Sequence, residues 1–224
     1  ELFPLLIFIG IGAMTDFGPV LAQPYTFLLG AAGQFGIFLT LILALYIGFP
    51  KLDAVSIGVI GACDGPTAIY VTSKYAPHLL GAVAVAAYSY MSLVPVIQPP
   101  IMRALTTDKE KKTVMKFTAK PVSKTTKLLF PIVITVVGGC IAPKGLPLLA
   151  TIMLGNLMKE SGVVARLTGA AENEIANVVT LFLGLCIGAT MAGPAFIRAE
   201  TLIVLGLGFL AIILDTVCGV LFGK

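Results

Sequence analysis

Long apolar runs alternate with short polar connections along this chain, and the lengths of the runs predict which of them cross a bilayer. Thr26 to Phe49, Leu79 to Ile101 and Thr201 to Phe222 are nearly uninterrupted, and each is long enough for a ~30 Å hydrocarbon core. These three are expected to cross. Ala54 to Thr72 reaches a comparable length only through a Gly/Pro break, and Leu2 to Met14, Leu128 to Ile141 and Leu146 to Met158 are too short as they stand. Asn177 to Met191 is borderline. Leu2 to Met14 reads as the tail of a longer span, while Leu128 to Ile141 and Leu146 to Met158 meet at Ala142-Pro143-Lys144-Gly145-Leu146-Pro147. The pattern predicts an all-α integral membrane protein, a polytopic helical bundle of about seven or eight segments with discontinuous helices.

Composition supports the same setting. Hydrophobic residues make up 58% of the chain and charged residues 12%, with a mean hydropathy of +1.01, whereas a soluble domain carries roughly 25% charged residues. The chain opens at Glu1 without Met or a basic leader, so no signal peptide is expected and the sequence reads as an internal piece. Cys63, Cys140, Cys186 and Cys218 lie in apolar runs and never approach CxxC spacing. They are expected to be packing residues, with no zinc site or disulfide framework.

Charge is concentrated in one place. Arg103, Lys109, Lys111, Lys112, Lys116, Lys120, Lys124 and Lys127 are eight of the fifteen basic residues. The positive-inside rule makes 103–127 a basic cytoplasmic loop and puts the carboxyl end of Leu79 to Ile101 inside. A nucleic-acid or lipid-headgroup role is the competing reading, but basic juxtamembrane loops are common enough that none is needed, and the expected partner is the lipid bilayer and no nucleic acid.

A repeat is also legible. Phe8-Ile9-Gly10, Gly12-Ala13, Gly18-Pro19 and Thr26-Phe27-Leu28 are echoed by Phe182-Leu183-Gly184, Gly188-Ala189, Gly193-Pro194 and Thr201-Leu202-Ile203. Both copies run from a short apolar segment through a Gly-Pro turn into a long span, as the paired halves of many transporters do. Within a single membrane domain of residues 1–224, the first repeat is expected to occupy 1–75 and the second to begin at 177–224. The counterpart of the Asp64 segment falls beyond Lys224, so the second repeat is expected to be incomplete, and the pattern leaves parallel and inverted orientations open.

The chemistry centres on Gly61-Ala62-Cys63-Asp64-Gly65-Pro66-Thr67. A carboxylate at bilayer depth costs at least ~2.5–3.5 kcal/mol, so it is rarely kept without a polar cavity, a partner or a cation. Gly and Pro interrupt the helical ladder and free backbone groups that a membrane tolerates only in a cavity or in protein. Asp64 is therefore the leading ion ligand, with Gly65 and Thr67 in the same frame. The bland alternative pairs it with Lys74 or with backbone amides.

Other polar residues carry two readings each. Tyr88 and Tyr90 lie deep in Leu79 to Ile101, where a tyrosine usually has an ordinary hydrogen bond. Asp215 either faces the bundle and handles ions or protons, or snorkels to the interface. Asp16, before Gly18-Pro19, is an ion-ligand candidate that also reads as a turn residue. Gln34 and Asn177 read as interhelical glue. His78 is expected to be interfacial, because no second ligand lies at metal-binding spacing. Ser73 and Ser89 have no base beside them, so a hydrolase triad finds no support.

The strings GACDGPTAIYVTSKYAPHLLGAVAVAAYSYMSLVPVIQPPIMRALTT, ELFPLLIFIGIGAMTDFGPVLAQP and LDTVCGVLFGK resemble the β subunit of the sodium-pumping, biotin-dependent decarboxylases, a family that includes oxaloacetate, methylmalonyl-CoA, glutaconyl-CoA and malonate decarboxylases. The resemblance covers nearly the whole chain. It implies a multi-pass subunit of the cytoplasmic (inner) membrane of a bacterium or archaeon that decarboxylates carboxybiotin and couples this to Na+ export, taking up a proton from outside. The family's essential aspartate falls on Asp64 and its functional tyrosine on Tyr90. Its second discontinuous motif, beginning Asn-Pro-Leu, should follow LFGK, and family members begin well upstream of ELFPLL. At Cys63 the family usually has Ala, a change expected to be neutral for packing.

The resemblance further implies Na+ at Asp64 and carboxybiotin presented by a partner, since no Met-Lys-Met attachment site occurs in the chain. The implied partners are a carboxyltransferase (α) subunit, a biotin carrier and a small single-span membrane subunit. The rival reading is a Na+- or H+-coupled secondary transporter of a small anion. A purely structural membrane subunit is the third, and Asp64 in its frame argues against it.

Overall fold

The computed structural model describes residues 2–114, 122–191 and 193–224, excluding the side chains of 194 and 195. All regular structure among them is helical: α1 (Leu2–Met14), α2 (Gly18–Ala22), α3 (Thr26–Gly33), α4 (Phe35–Ile47), α5 (Lys51–Gly58), α6 (Gly65–Tyr75), α7 (Leu80–Leu105), α8 (Asp108–Lys111), α9 (Lys124–Ile141), α10 (Leu146–Ser161), α11 (Ala165–Ala170), α12 (Ala176–Thr190), α13 (Gly193–Phe196) and α14 (Ala199–Gly223). Short 3₁₀ turns join α5 to α6, α6 to α7 and α9 to α10, and a π turn, Ala171–Ile175, joins α11 to α12.

Five helices among the described residues are long and apolar enough to cross a membrane: Thr26–Ile47, Pro77–Leu105, Lys124–Ile141, Ala165–Thr190 and Ala199–Gly223. Two of these correct the sequence reading. Leu128 to Ile141 gains a further turn because Ser123 caps the helix, accepting the Thr126 N–H at 3.2 Å. Asn177 to Met191 gains length because the π turn carries the helix back to Ala165. Large side chains such as Phe38, Ile42, Val136, Leu181 and Leu202 point outward, as lipid-facing residues of a multi-pass membrane protein do. Lys116 and Lys120 lie outside the described residues.

The chain forms two compact units, Glu1–Pro24 with Thr118–Cys186, and Tyr25–Phe117 with Ile187–Lys224. In the first, α1 packs closely on α10, with Gly12 against the Ile152 carbonyl and Gly155 against the Ile9 carbonyl. Small residues allow that approach in a membrane helix pair. Lys159 Nζ donates to the carbonyls of Met14 and Thr15, at 3.1 and 3.2 Å, which serves the carbonyl end of α1.

The second unit is built on α4, α7 and α14 around a core of Ile57, Ile60, Val83 and Val204. α7 stays helical through Pro95, Pro99 and Pro100. α14 pairs antiparallel with the α3–α4 run: Gly223 meets Leu29, Gly219 meets Gly33, and Asp215 meets Gly36. The two long helices that begin at Thr26 and Ala199 thus run in opposite directions within this unit.

The Ala54 to Thr72 region does not cross. Lys51 to Ala62 covers about 20 Å and α6 about 16 Å along their axes. Yet Asp53, at the start of the first leg, lies 3.1 Å from His78, just past the end of the second. The segment is a hairpin of two short helices that enters and leaves by one end of the unit, with Cys63 and Asp64 at its tip. That end is opposite the basic segment following α7.

Candidate functional site

Gly58 to Asp64 does not continue α5 as an α-helix. It tightens into the 3₁₀ turn Val59–Ala62, and Cys63 then takes a left-handed conformation, φ 52°. This is uncommon for a residue carrying a side chain and marks the reversal. Asp64 is extended and serves as the N-cap residue of α6, with Pro66 in the first turn, where a missing N–H is harmless. Its carboxylate sits at the positive end of α6, and its Oδ2 accepts a hydrogen bond from the Thr67 hydroxyl. Lys74, the partner of the bland reading, instead lies over the Tyr70 ring, 5.6 Å from its centroid.

Gly65 is required here. A methyl group on it would stand 2.7 Å from Cζ of Tyr88, whose ring covers the first turn of α6. Tyr90 points elsewhere: its hydroxyl donates to the Leu205 carbonyl at 2.6 Å and its ring lies 6.0 Å from that of Phe209. The two tyrosines therefore diverge, Tyr88 toward the Asp64 turn and Tyr90 toward α14.

Asp215 faces the bundle. The α3–α4 run is interrupted at Gln34, so Gly36 lies in the first turn of a new helix with a free N–H. That N–H donates to Asp215 Oδ1 at 2.6 Å. Oδ2 is buried without a hydrogen-bond partner, and a methyl on Gly61 would stand 2.9 Å from it. Asp215 is thus pressed against the 3₁₀ leg that leads to Asp64, with only 8% of its surface exposed. Asp16 belongs to the other unit, where it accepts the Gly18 N–H at 2.8 Å and lies 3.8 Å from Lys127, as a turn residue does.

A cavity of about 820 Å³ reaches this place. Gly61, Ala62, Cys63 and Asp215 form its inner end, while Thr106, Glu110 and Lys111 form its mouth at the basic segment. At that mouth Glu110 closes a capping box with Thr107. The Thr107 N–H, followed by Lys224 and the Thr107 hydroxyl, holds the Glu110 carboxyl below the usual range. Of the residues singled out from the sequence, Asp64, Gly65 and Thr67 lie at the first turn of α6, and Asp215 lies on α14 against Gly36 and Gly61. Sequence reasoning missed that Gly36 and Gly61 make room for Asp215, and that Tyr88 is the ring over Gly65. The one available signal was glycine recurring at Gly36, Gly61 and Gly65 in otherwise bulky segments.

All of residues 1–224 match the family described as the Na+-transporting oxaloacetate decarboxylase beta subunit. The chain is 53% identical over 224 residues to the methylmalonyl-CoA decarboxylase subunit beta of Propionigenium modestum, covering all of this chain and 56% of that protein. It is 54% identical over 227 residues to the oxaloacetate decarboxylase beta chain of Klebsiella pneumoniae, covering 99% of this chain and 52% of that protein. A Veillonella parvula methylmalonyl-CoA decarboxylase subunit beta is 52% identical, with 100% and 60% covered. The chain spans little more than half the length of these relatives. With a full-length family match and identities above 50%, it belongs to the beta-subunit family of the Na+-transporting oxaloacetate decarboxylases.

Proposed function

We propose that this chain forms the ion-conducting part of a membrane subunit that decarboxylates carboxybiotin and couples that step to Na+ export with proton uptake. The observation that carries the reading is the meeting of a hairpin tip, entered from one end of the unit, with a cavity opening at the other. An ion site reached from one side and closed by a discontinuous element on the other is what alternating access requires. On this reading the basic segment and the cavity mouth are cytoplasmic, and the membrane is the inner membrane of a bacterium.

Na+ is a hard cation that prefers oxygen ligands. Asp64 supplies a carboxylate with the Thr67 hydroxyl attached to it, Gly65 lets the first turn of α6 approach, and Asp215 supplies the unpartnered Oδ2 at the cavity floor. Na+ entering from the cavity is bound by these groups. When carboxybiotin loses CO2, the N–CO2 bond breaks, its electrons stay on the biotin nitrogen, and that nitrogen takes a proton. The proton arrives from the opposite side and displaces Na+ at Asp64; the Tyr90 hydroxyl, held on the Leu205 carbonyl and turned away from Asp64, serves as a relay on the α14 side of that route and not as a contact to the carboxylate. On this reading the chain works in a multi-subunit decarboxylase, with a biotin carrier, a carboxyltransferase subunit and a small single-span subunit as its partners.

The antiparallel long helices and the hairpin also suit a Na+- or H+-coupled transporter of a small anion. Purification of the full-length subunit from its native membrane separates the two. The pump reading expects an avidin-binding protein to copurify and Na+ to stimulate decarboxylation. A lone polypeptide that moves an anion without biotin contradicts it.

A further inference from the structure

The hairpin's open end, remote from the cavity mouth, carries a second constellation that the pump reading does not use. Asp53 lies in the first turn of α5, His78 in the turn between α6 and α7, and Glu200 in the first turn of α14. Distant in sequence, they offer one imidazole nitrogen and two carboxylate oxygens, all within 4.8 Å of one another. This corrects the expectation that His78 has no companion ligand. Asp53 is buried, Glu200 half-buried and His78 exposed.

We propose that Asp53, His78 and Glu200 form a site for a divalent transition-metal ion, Zn2+ being the best match, which clamps both legs of the hairpin to α14. Bonds of about 2.0–2.1 Å around a tetrahedral ion set neighbouring donor atoms about 3.3 Å apart. His78 Nε2 and Asp53 Oδ2, at 3.1 Å, already stand near that separation. The carboxylate of Glu200 closes the remaining gap by a side-chain movement in the first turn of its helix.

The donor set selects the ion. Imidazole with carboxylates suits Zn2+ and its neighbours, Na+ gains little from nitrogen, and Mg2+ keeps its waters and octahedral geometry. A simple His–Asp pair would not need Glu200. Two carboxylates converging on one imidazole repel each other unless a cation lies between them. The exposed face of His78 leaves a position for water, the usual fourth ligand of a three-residue zinc site.

The test uses the full-length subunit in its complex, stripped with a chelator and titrated with Zn2+ against a chromogenic competitor. Wild type should bind one equivalent more than His78→Gln and Glu200→Gln, or bind that equivalent about 10- to 100-fold more tightly. Zn2+ should also raise the melting temperature of wild type and not of the variants, while Mg2+ leaves all three unchanged. Equal metal-free melting temperatures establish that the variants are folded, and if one fails to fold the other decides. Stoichiometry and affinity unchanged in a folded variant would overturn the site. None of these measurements depends on turnover, so the pump reading stands or falls separately.

Discussion

Gly65 is where a single residue decides whether the proposed ion site can form. A helix-interior Gly→Ala change is ordinarily neutral or stabilising by ~0.5–1 kcal/mol. Gly206, with no atom near its missing side chain, should behave so. Gly65→Ala drives a methyl into the Tyr88 ring, displacing the first turn of α6 and Asp64 with it. It should abolish Na+-stimulated decarboxylation while Gly206→Ala keeps it, as measured on the purified complex. The tyrosines make a second contrast. Tyr88 acts through its ring, which Tyr88→Phe preserves, so turnover should stay close to wild type. Tyr90 presents a hydroxyl with a defined partner, and if it relays the proton, Tyr90→Phe should slow turnover by about 100-fold or more. Equal effects would favour packing for both.

At the scale of elements, the two carboxylates grouped with Asp64 by composition part company. Asp215 is buried against the α4 N-terminus and the 3₁₀ leg of the hairpin, whereas Asp16 is spent on a turn and on Lys127. Asp215→Asn keeps the Gly36 hydrogen bond and removes the charge. It should raise the Na+ concentration for half-maximal activity by about tenfold, the effect of ~1.4 kcal/mol, with Asp16→Asn near wild type. The opposite ranking would remove Asp215 from the ion path. The apolar pattern made the long helices legible, because burial in lipid is written directly into composition. It could not reveal the hairpin: a Gly/Pro break reads the same whether the chain continues across the membrane or turns back. Only Asp53 meeting His78 decides that. For the same reason the glycine cradle of Asp215 and the cluster at Glu200 stayed hidden, since their partners are brought together by tertiary packing and not by spacing.

Across the second unit, α14 packs antiparallel on α3–α4. The start of α4 supplies the free Gly36 amide, and α14 supplies the Asp215 carboxylate that accepts from it. The hairpin then brings Asp64 to the same depth from the far end, about 20 Å along its first leg, into a hydrocarbon core ~30 Å thick. A carboxylate at that depth is retained at a cost of at least ~2.5–3.5 kcal/mol, which Na+ binding would offset on the proposed reading. The most direct test is to place Asp64→Asn in the full-length complex, reconstitute it in vesicles, and follow 22Na+ uptake together with CO2 release from carboxybiotin. Asparagine keeps the size of Asp64 and one accepting oxygen for the Thr67 hydroxyl, while removing the charge and turning the other oxygen into a donor, so both Na+ transport and decarboxylation should be lost; Na+-stimulated decarboxylation at the wild-type rate would contradict the assignment of Asp64 as the coupling site.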